Sequence, residues 1–119
     1  MNDDTNHESE LLPFQRTDAY RVAKALALAV HAARVRDAEL RDQASRAAKS
    51  AFLQTAEGLP NKSVAMRRRY FVCARNSACE TAAALDLALA MGCCTGDAQH
   101  AVQELAGKLS AILTGLMRG

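Results

Sequence analysis

The carboxylates of Glu57 and Glu80 are the side chains that come closest to a catalytic arrangement in this chain. Two carboxylates a few ångströms apart can act as general acid and general base on a bound substrate. Each of them, however, follows a polar residue by three positions, Gln54 and Ser77 respectively, which is the spacing of one helix face. Polar groups at such positions commonly hydrogen-bond across a helix pair and fix its register. The sequence therefore favours a structural role for five signature residues: Gln54, Glu57, Gly58, Ser77 and Glu80.

Other catalytic and metal-binding patterns are absent from the sequence. Ser50 and Ser77 have no neighbouring histidine to act as a base, and no Gly-x-Ser-x-Gly, phosphate-loop or dinucleotide pattern occurs. The histidines are scattered, and the cysteines form no Cys-x-x-Cys pair: Cys73, Cys79, Cys93 and Cys94. Neither carboxylate belongs to a Glu-x-x-His pair of the kind found in di-metal bundles. The sequence predicts a protein that is not an enzyme, without metal or cofactor, and a metal- or small-molecule-binding bundle is the weakest alternative.

Basic residues are concentrated in the middle of the chain, although the overall net charge is only +2. Residues 21–79 contain twelve Lys and Arg against four Asp and Glu, whereas both ends are net acidic. Phosphate binding requires several cations on one surface, because each contact releases counterions. The residues predicted to bind nucleic acid are Arg41, Lys49, Lys62, Arg67, Arg68 and Arg75. The alternative is a solvated face with ion pairs to Asp37, Glu39, Asp42 and the acidic N-terminal segment.

The elements that position these residues are predicted to be four helices. Apolar residues recur at helical spacing from about 18 to 35, from Asp37 to Gly58, from Ser63 to about Met91, and after Gly96. Asp37 and Ser63 are expected N-caps. Short connections favour an antiparallel up-down-up-down four-helix bundle over residues 14–119. Residues 1–13 are predicted to be a disordered acidic tail.

The third helix carries two apolar stripes, one more than a bundle core requires. The first is Tyr70, Cys73, Ala74, Ser77, Thr81, Ala84, Ala88 and Met91, which can face the core. The second is Phe71, Ala78, Ala82, Leu85 and Leu89, which is predicted to be an oligomer interface because a helix that is apolar on most sides is usually buried on most sides. A charge at Leu85 would then dissociate the oligomer without loss of helicity. The alternative is one broad core face with a few exposed apolar residues.

No targeting or membrane segment is predicted. The first ten residues are polar and acidic, unlike the basic and then apolar start of a signal peptide. The longest uncharged run covers ten residues, Leu87 to Gly96, whereas a membrane helix needs about 20. A soluble, cytoplasmic protein is expected.

Two stretches of the chain resemble the signatures of a bacterial family of four-helix bundle proteins, the 23S rRNA intervening-sequence proteins. Gln54-Thr55-Ala56-Glu57-Gly58 resembles the family's Asn-Ile-Ala-Glu-Gly helix end. The segment from Arg69 to Glu80 resembles its Arg-Phe-Leu-x-Ile-Ala-x-Gly-Ser-x-x-Glu helix, with Asn76 in place of the usual glycine. Residues 45–51 are similar to its Arg-Arg-Ala-Ala-x-Ser-Ile stretch.

The resemblance implies a four-helix bundle that assembles as a homo-pentameric ring. It also implies contact with RNA or DNA, since a related accessory protein of diversity-generating retroelements binds nucleic acid and a reverse transcriptase. Many similar proteins have no assigned activity. A protein–protein assembly or scaffold module that binds no nucleic acid is therefore the alternative function.

Overall fold

The computed structural model describes residues 10–118, and within this range the chain forms four α-helices and no strand. The helices are α1 (Asp18–Ala33), α2 (Ala38–Gly58), α3 (Val64–Ala90) and α4 (Gly96–Met117). A short 3-10 turn, Pro13–Arg16, precedes α1. The predicted disordered tail lies mostly outside the described residues, but its last position, Pro13, belongs to this ordered turn. None of the helices within residues 10–118 combines the length and the apolar character that a membrane span requires.

Each helix begins at a side chain that accepts a hydrogen bond from the backbone. Such a cap satisfies one of the amide groups that have no partner in the first turn of a helix. The predicted caps Asp37 and Ser63 are confirmed, and they accept from the amides of Leu40 and Met66. The other two helices begin in the same way, with Thr17 accepting from Tyr20 and Thr95 accepting from Ala98.

The helices pack in chain order, with α1 against α2, α2 against α3, α3 against α4, and α4 back against α1. The core side of α2 is made almost entirely of small residues, with Ala44, Ala47, Ala48 and Ala51 all buried. Small side chains allow two helix axes to approach closely, and the contacts between α2 and α3 are the most extensive in the fold. Larger buried side chains, including Leu26 and Leu109, come from α1 and α4.

Three contact pairs show how α2 and α3 run past each other: Gln43 with Glu80, Ser50 with Ser77, and Gly58 with Tyr70. Residues that come later in α2 contact residues that come earlier in α3. The two helices are therefore antiparallel, and the start of α2 and the start of α3 lie at opposite ends of this pair.

The prediction that the second stripe of α3 forms an oligomer interface is wrong for three of its five residues. Phe71, Ala78 and Leu85 are at most 1% exposed within the single chain, so no partner copy can reach them. Ala82 is half-buried, and Leu89 is 36% exposed. The reason is that α3 packs against both α2 and α4. Together these two helices cover a part of the α3 surface that is wider than a single apolar stripe. The first stripe correspondingly leaves Cys73 and Met91 exposed.

Gly58 marks the closest approach between α2 and α3. A Cβ atom at this position would lie 2.7 Å and 2.9 Å from two ring atoms of Phe71, and 3.0 Å from the Cβ of Tyr70. Phe71 is a fully buried ring that cannot swing away into solvent. Only glycine fits this contact without displacing a neighbour.

We expect Gly58→Ala to destabilise the fold by about 1–3 kcal/mol, because it overpacks this contact. Urea unfolding followed by circular dichroism measures the change. Gly107→Ala is the matched control, since nothing lies within 4 Å of a Cβ at Gly107 inside α4. Replacing a glycine inside a helix without a clash stabilises by about 0.5–1 kcal/mol. If both variants were stabilised, the tight α2–α3 contact would not exist in solution.

Candidate nucleic-acid interface

Two of the five signature residues, Ser77 and Glu80, form hydrogen bonds between α2 and α3. The hydroxyls of Ser50 and Ser77 are 3.1 Å apart, and the side-chain amide of Gln43 donates to Glu80 Oε2 over 3.3 Å. Gly58 gives the close backbone approach at the end of the same seam. The remaining two signature residues are less buried: Gln54 is half-buried and Glu57 is exposed at the end of α2.

The structure separates the two carboxylates that could have formed an acid–base pair. Glu80 lies beside Gln43, fourteen residues before Glu57 on α2. At 1.5 Å of rise per helical residue, that is roughly 21 Å along the helix axis. Two catalytic carboxylates that act on the same substrate bond lie far closer together, at most about 10 Å apart even where a water molecule lies between them. The two side chains do not form one site.

Three of the six predicted phosphate-binding residues line the junction of α3 with the end of α4. Arg75 Nη1 donates to Thr114 Oγ1 over 3.1 Å, and Arg68 Nη1 donates to the carbonyl of Met117 over 3.4 Å. The guanidinium of Arg67 lies 5.6 Å from the centre of the Phe71 ring, at cation–π distance. Lys62 is exposed in the loop just before α3. We call this set the α3–α4 basic surface: Lys62, Arg67, Arg68 and Arg75.

Arg41 and Lys49 lie on α2, apart from this surface. Arg41 is on the first turn of α2, where its Nη1 donates to the carbonyl of Val35 over 3.3 Å. Because α2 and α3 are antiparallel, the start of α2 lies at the other end of the helix pair from Arg67 and Arg68. Lys49 is exposed near the middle of α2. The structure therefore divides the predicted binding set instead of gathering it.

Arg41 shares an open cleft of about 740 Å³ with two arginines that were not among the predicted residues. Arg34 and Arg36 lie in the connection between α1 and α2, and Arg36 reaches across to the connection between α3 and α4. The signal that points to them is three arginines within eight positions, placed across a break between two helices. We call this the corner cleft, and it is lined by Val30, His31, Arg34, Val35, Arg36, Arg41, Asp42 and Ser45.

Within residues 10–118, neither basic region has an ion pair to a carboxylate, although Asp42 lines the corner cleft. Among residues 10–118, no Asp or Glu lies within ion-pair distance of the six predicted residues or of Arg34 and Arg36. The carboxylate of Asp37, expected to pair with a cation in the alternative interpretation, instead caps α2. The hydrogen-bond partners of Arg41, Arg68 and Arg75 are neutral oxygens. These arginines therefore keep their full positive charge available to an anion.

The cysteines are free thiols in different surroundings. Cys73 and Cys79 are exposed, Cys93 is half-buried, and Cys94 is buried at the connection between α3 and α4. Burial raises the pKa of the Cys94 thiol, the neighbouring Cys93 adds to the rise, and Arg36 opposes it. Within the described residues, no three His, Cys, Asp or Glu side chains come together as metal ligands would.

Taken together, the fold and these surfaces define a class of protein: a small four-helix domain whose central helix pair is fixed by glycine, alanine and serine contacts. Its α3–α4 basic surface and its corner cleft have no ion pair to a carboxylate within residues 10–118. The family model of the 23S rRNA-intervening sequence protein matches residues 15–115. The chain belongs to that family, which confirms the resemblance of its two signature stretches. A comparison with curated proteins finds no match.

Proposed function

We propose that this chain binds RNA or DNA without catalysing a reaction, through phosphate contacts made by the α3–α4 basic surface. The single observation that carries the proposal is the placement of four cations in the loop before α3 and along its first half, with no carboxylate partner among the described residues. Counterion release makes such a cluster attractive to a phosphate backbone whatever its base sequence. No sequence preference is therefore part of the proposal.

The orientation of the arginines supports it further. Thr114 and Met117 each accept one N–H from Arg75 and Arg68. A guanidinium has five N–H donors, so most of them remain for a phosphate. A side chain already held in place loses less conformational entropy when it binds, and this favours affinity.

The proposed assembly is a homo-oligomer, in the form of a pentameric ring of up-down-up-down bundles acting in the cytoplasm. The short connections and the antiparallel α2–α3 pair support the bundle topology. Apolar side chains left exposed near the end of α3 support self-association: Leu87, Leu89 and Met91 are 51%, 36% and 53% exposed. In a ring the basic surface would repeat around the axis and its field would add up. A larger nucleic-acid enzyme, such as a reverse transcriptase, is the proposed class of partner.

Binding to fluorescent RNA and to duplex DNA, titrated with salt, tests the proposal. We expect the logarithm of the duplex association constant to fall with the logarithm of salt by about 0.9 for each phosphate contacted, so four contacts per chain give a slope of about −3.6. Sedimentation of the same sample gives the mass of the binding species. No binding at low salt would contradict the proposal.

The second candidate is a scaffold module that meets another protein and binds no nucleic acid. The exposed side chains of Leu87 and Met91 favour it, because residues four positions apart share one helix face and exposed apolar surface on a small domain commonly marks a protein contact. Absence of salt-dependent binding, combined with a stable oligomer, would make this candidate the better one.

A further inference from the structure

The corner cleft at the start of α2 has the features of a ligand site separate from the α3–α4 basic surface. Its volume of about 740 Å³ lies within the range of small-molecule sites, which is about 300–1,000 Å³. Three arginines, His31 and the hydroxyl-bearing Ser45 line it, together with the apolar side chains of Val30 and Val35. We propose that this cleft binds the phosphate and sugar of a nucleotide, either free or at the accessible end of a strand.

Two of the arginines are held in place by backbone carbonyls from different parts of the fold. Arg36 donates from Nη2 to the carbonyl of Gly92, and its own amide donates to the carbonyl of Cys93 over 2.9 Å. Arg41 donates from Nη1 to the carbonyl of Val35. Neutral carbonyls orient a guanidinium without cancelling its charge, so both groups retain donors for a phosphate.

Arg34 occupies a backbone conformation that usually belongs to glycine. Its φ is +47°, which makes it the one residue other than glycine with a positive φ among residues 10–118. It ends α1 at a left-handed position, where glycine or asparagine is the common choice. Strained backbone of this kind concentrates at functional sites. The guanidinium of Arg34 is the third one at the rim of the cleft.

The remaining lining residues favour a nucleotide over a bare anion. Asp42 is the one carboxylate in the lining, and it can accept hydrogen bonds from ribose hydroxyls or base N–H groups. The exposed imidazole of His31 offers a surface for the flat face of a base, as aromatic side chains do in other nucleotide sites, whereas Val30 and Val35 are buried behind the lining. A simple inorganic anion would leave these groups unused.

Titration calorimetry with adenosine diphosphate and with single-stranded oligoadenylate tests the assignment. We expect Arg34→Gly and Arg41→Gln each to weaken binding roughly tenfold, which corresponds to the loss of one charge-assisted contact. Arg34→Gly removes the guanidinium and relieves the left-handed strain, so its thermal midpoint should equal or exceed that of the wild type. Arg41→Gln replaces the guanidinium with a neutral amide and leaves a polar side chain at this position. Arg46→Gln, an exposed position outside the cleft, is the control and should bind as the wild type does.

Binding of adenosine diphosphate would identify a free-nucleotide site. Binding of oligoadenylate alone would identify a site for a strand end if it persists in the Arg68→Glu with Arg75→Glu variant, because the α3–α4 basic surface also binds strands. Either result supports the proposal if the Arg34 and Arg41 variants weaken it. Wild-type affinity in both variants, or no binding of either ligand, would overturn it. The variant Arg68→Glu with Arg75→Glu separates this proposal from the general one, since it should leave adenosine diphosphate binding unchanged.

Discussion

Leu85→Glu is expected to unfold the chain, not merely to separate an assembly. Leu85 is completely buried on α3 and belongs to the hydrophobic core. A carboxylate there would lose its hydration without gaining a partner, and the core would also lose a leucine. The loss of the leucine alone costs about 2–5 kcal/mol. Together with the desolvation of the carboxylate, this consumes most or all of the ~5–15 kcal/mol by which a small domain is stable.

Far-UV circular dichroism and urea unfolding measure this effect, and Leu89→Glu is the matched control. Leu89 lies one turn further along α3 and is 36% exposed, so the same substitution leaves its carboxylate in contact with water. We expect the Leu89 variant to retain helicity and cooperative unfolding. A loss of sedimentation mass in this variant alone would place a self-association surface at the end of α3. Normal helicity in the Leu85 variant would show that Leu85 is not a core residue.

The helix boundaries were predictable because they depend on local chemistry. Asp37 and Ser63 accept hydrogen bonds from amides three residues ahead, and this interaction is visible in the sequence as a polar residue before an apolar periodic segment. The end of α1 was predicted near Val35, but the helix stops at Ala33 because Arg34 turns into the left-handed region. The sequence rule for a helix end of this kind is a glycine in the left-handed conformation, so an arginine at this position does not predict the helix end.

The burial of α3 was less predictable, because periodicity describes one helix and says nothing about its neighbours. A helix with two apolar stripes is equally compatible with two neighbours in the same chain and with one neighbour plus a second copy. In this fold α2 and α4 cover Phe71, Ala78 and Leu85. The packing of separate elements, which is a tertiary property, decides between these two arrangements.

The candidate site was predictable only in its residue types. The sequence shows a concentration of cations in the middle of the chain, but not which of them lie together or whether they form ion pairs. Arg68 meets Met117 across 49 positions, and Arg36 meets Gly92 across 56. Contacts over such distances leave no trace in local spacing. The structural role of Gly58, in contrast, was predictable because this residue belongs to a recognisable signature, whereas its contact with Phe71 and Tyr70 was not.

Charge reversal at Arg68 and Arg75 is expected to weaken nucleic-acid binding roughly a hundredfold or more at low salt, because two phosphate contacts are lost and two repulsions are introduced. The salt dependence should also become shallower, with a duplex slope reduced by about 1.8 for the two contacts. Fluorescence anisotropy with labelled RNA and duplex DNA over a range of salt measures both quantities. The two arginines are seven positions apart on α3 and both contact α4, so one strand can reach them together.

The control for this double variant carries the same change in net charge at positions away from the surface. Arg46→Glu with Lys108→Glu meets this condition, because both residues are exposed and lie on α2 and α4 outside the α3–α4 basic surface. Equal losses in both double variants would mean that binding follows net charge alone. Full binding by the Arg68 and Arg75 variant would exclude this surface. Arg75→Gln removes the cation and keeps a neutral polar side chain, and its thermal stability shows whether the loss of the contact with Thr114 disturbs the fold. A weakened Arg75→Gln with unchanged thermal stability would therefore assign the loss to the missing cation and not to a disturbed α3–α4 junction.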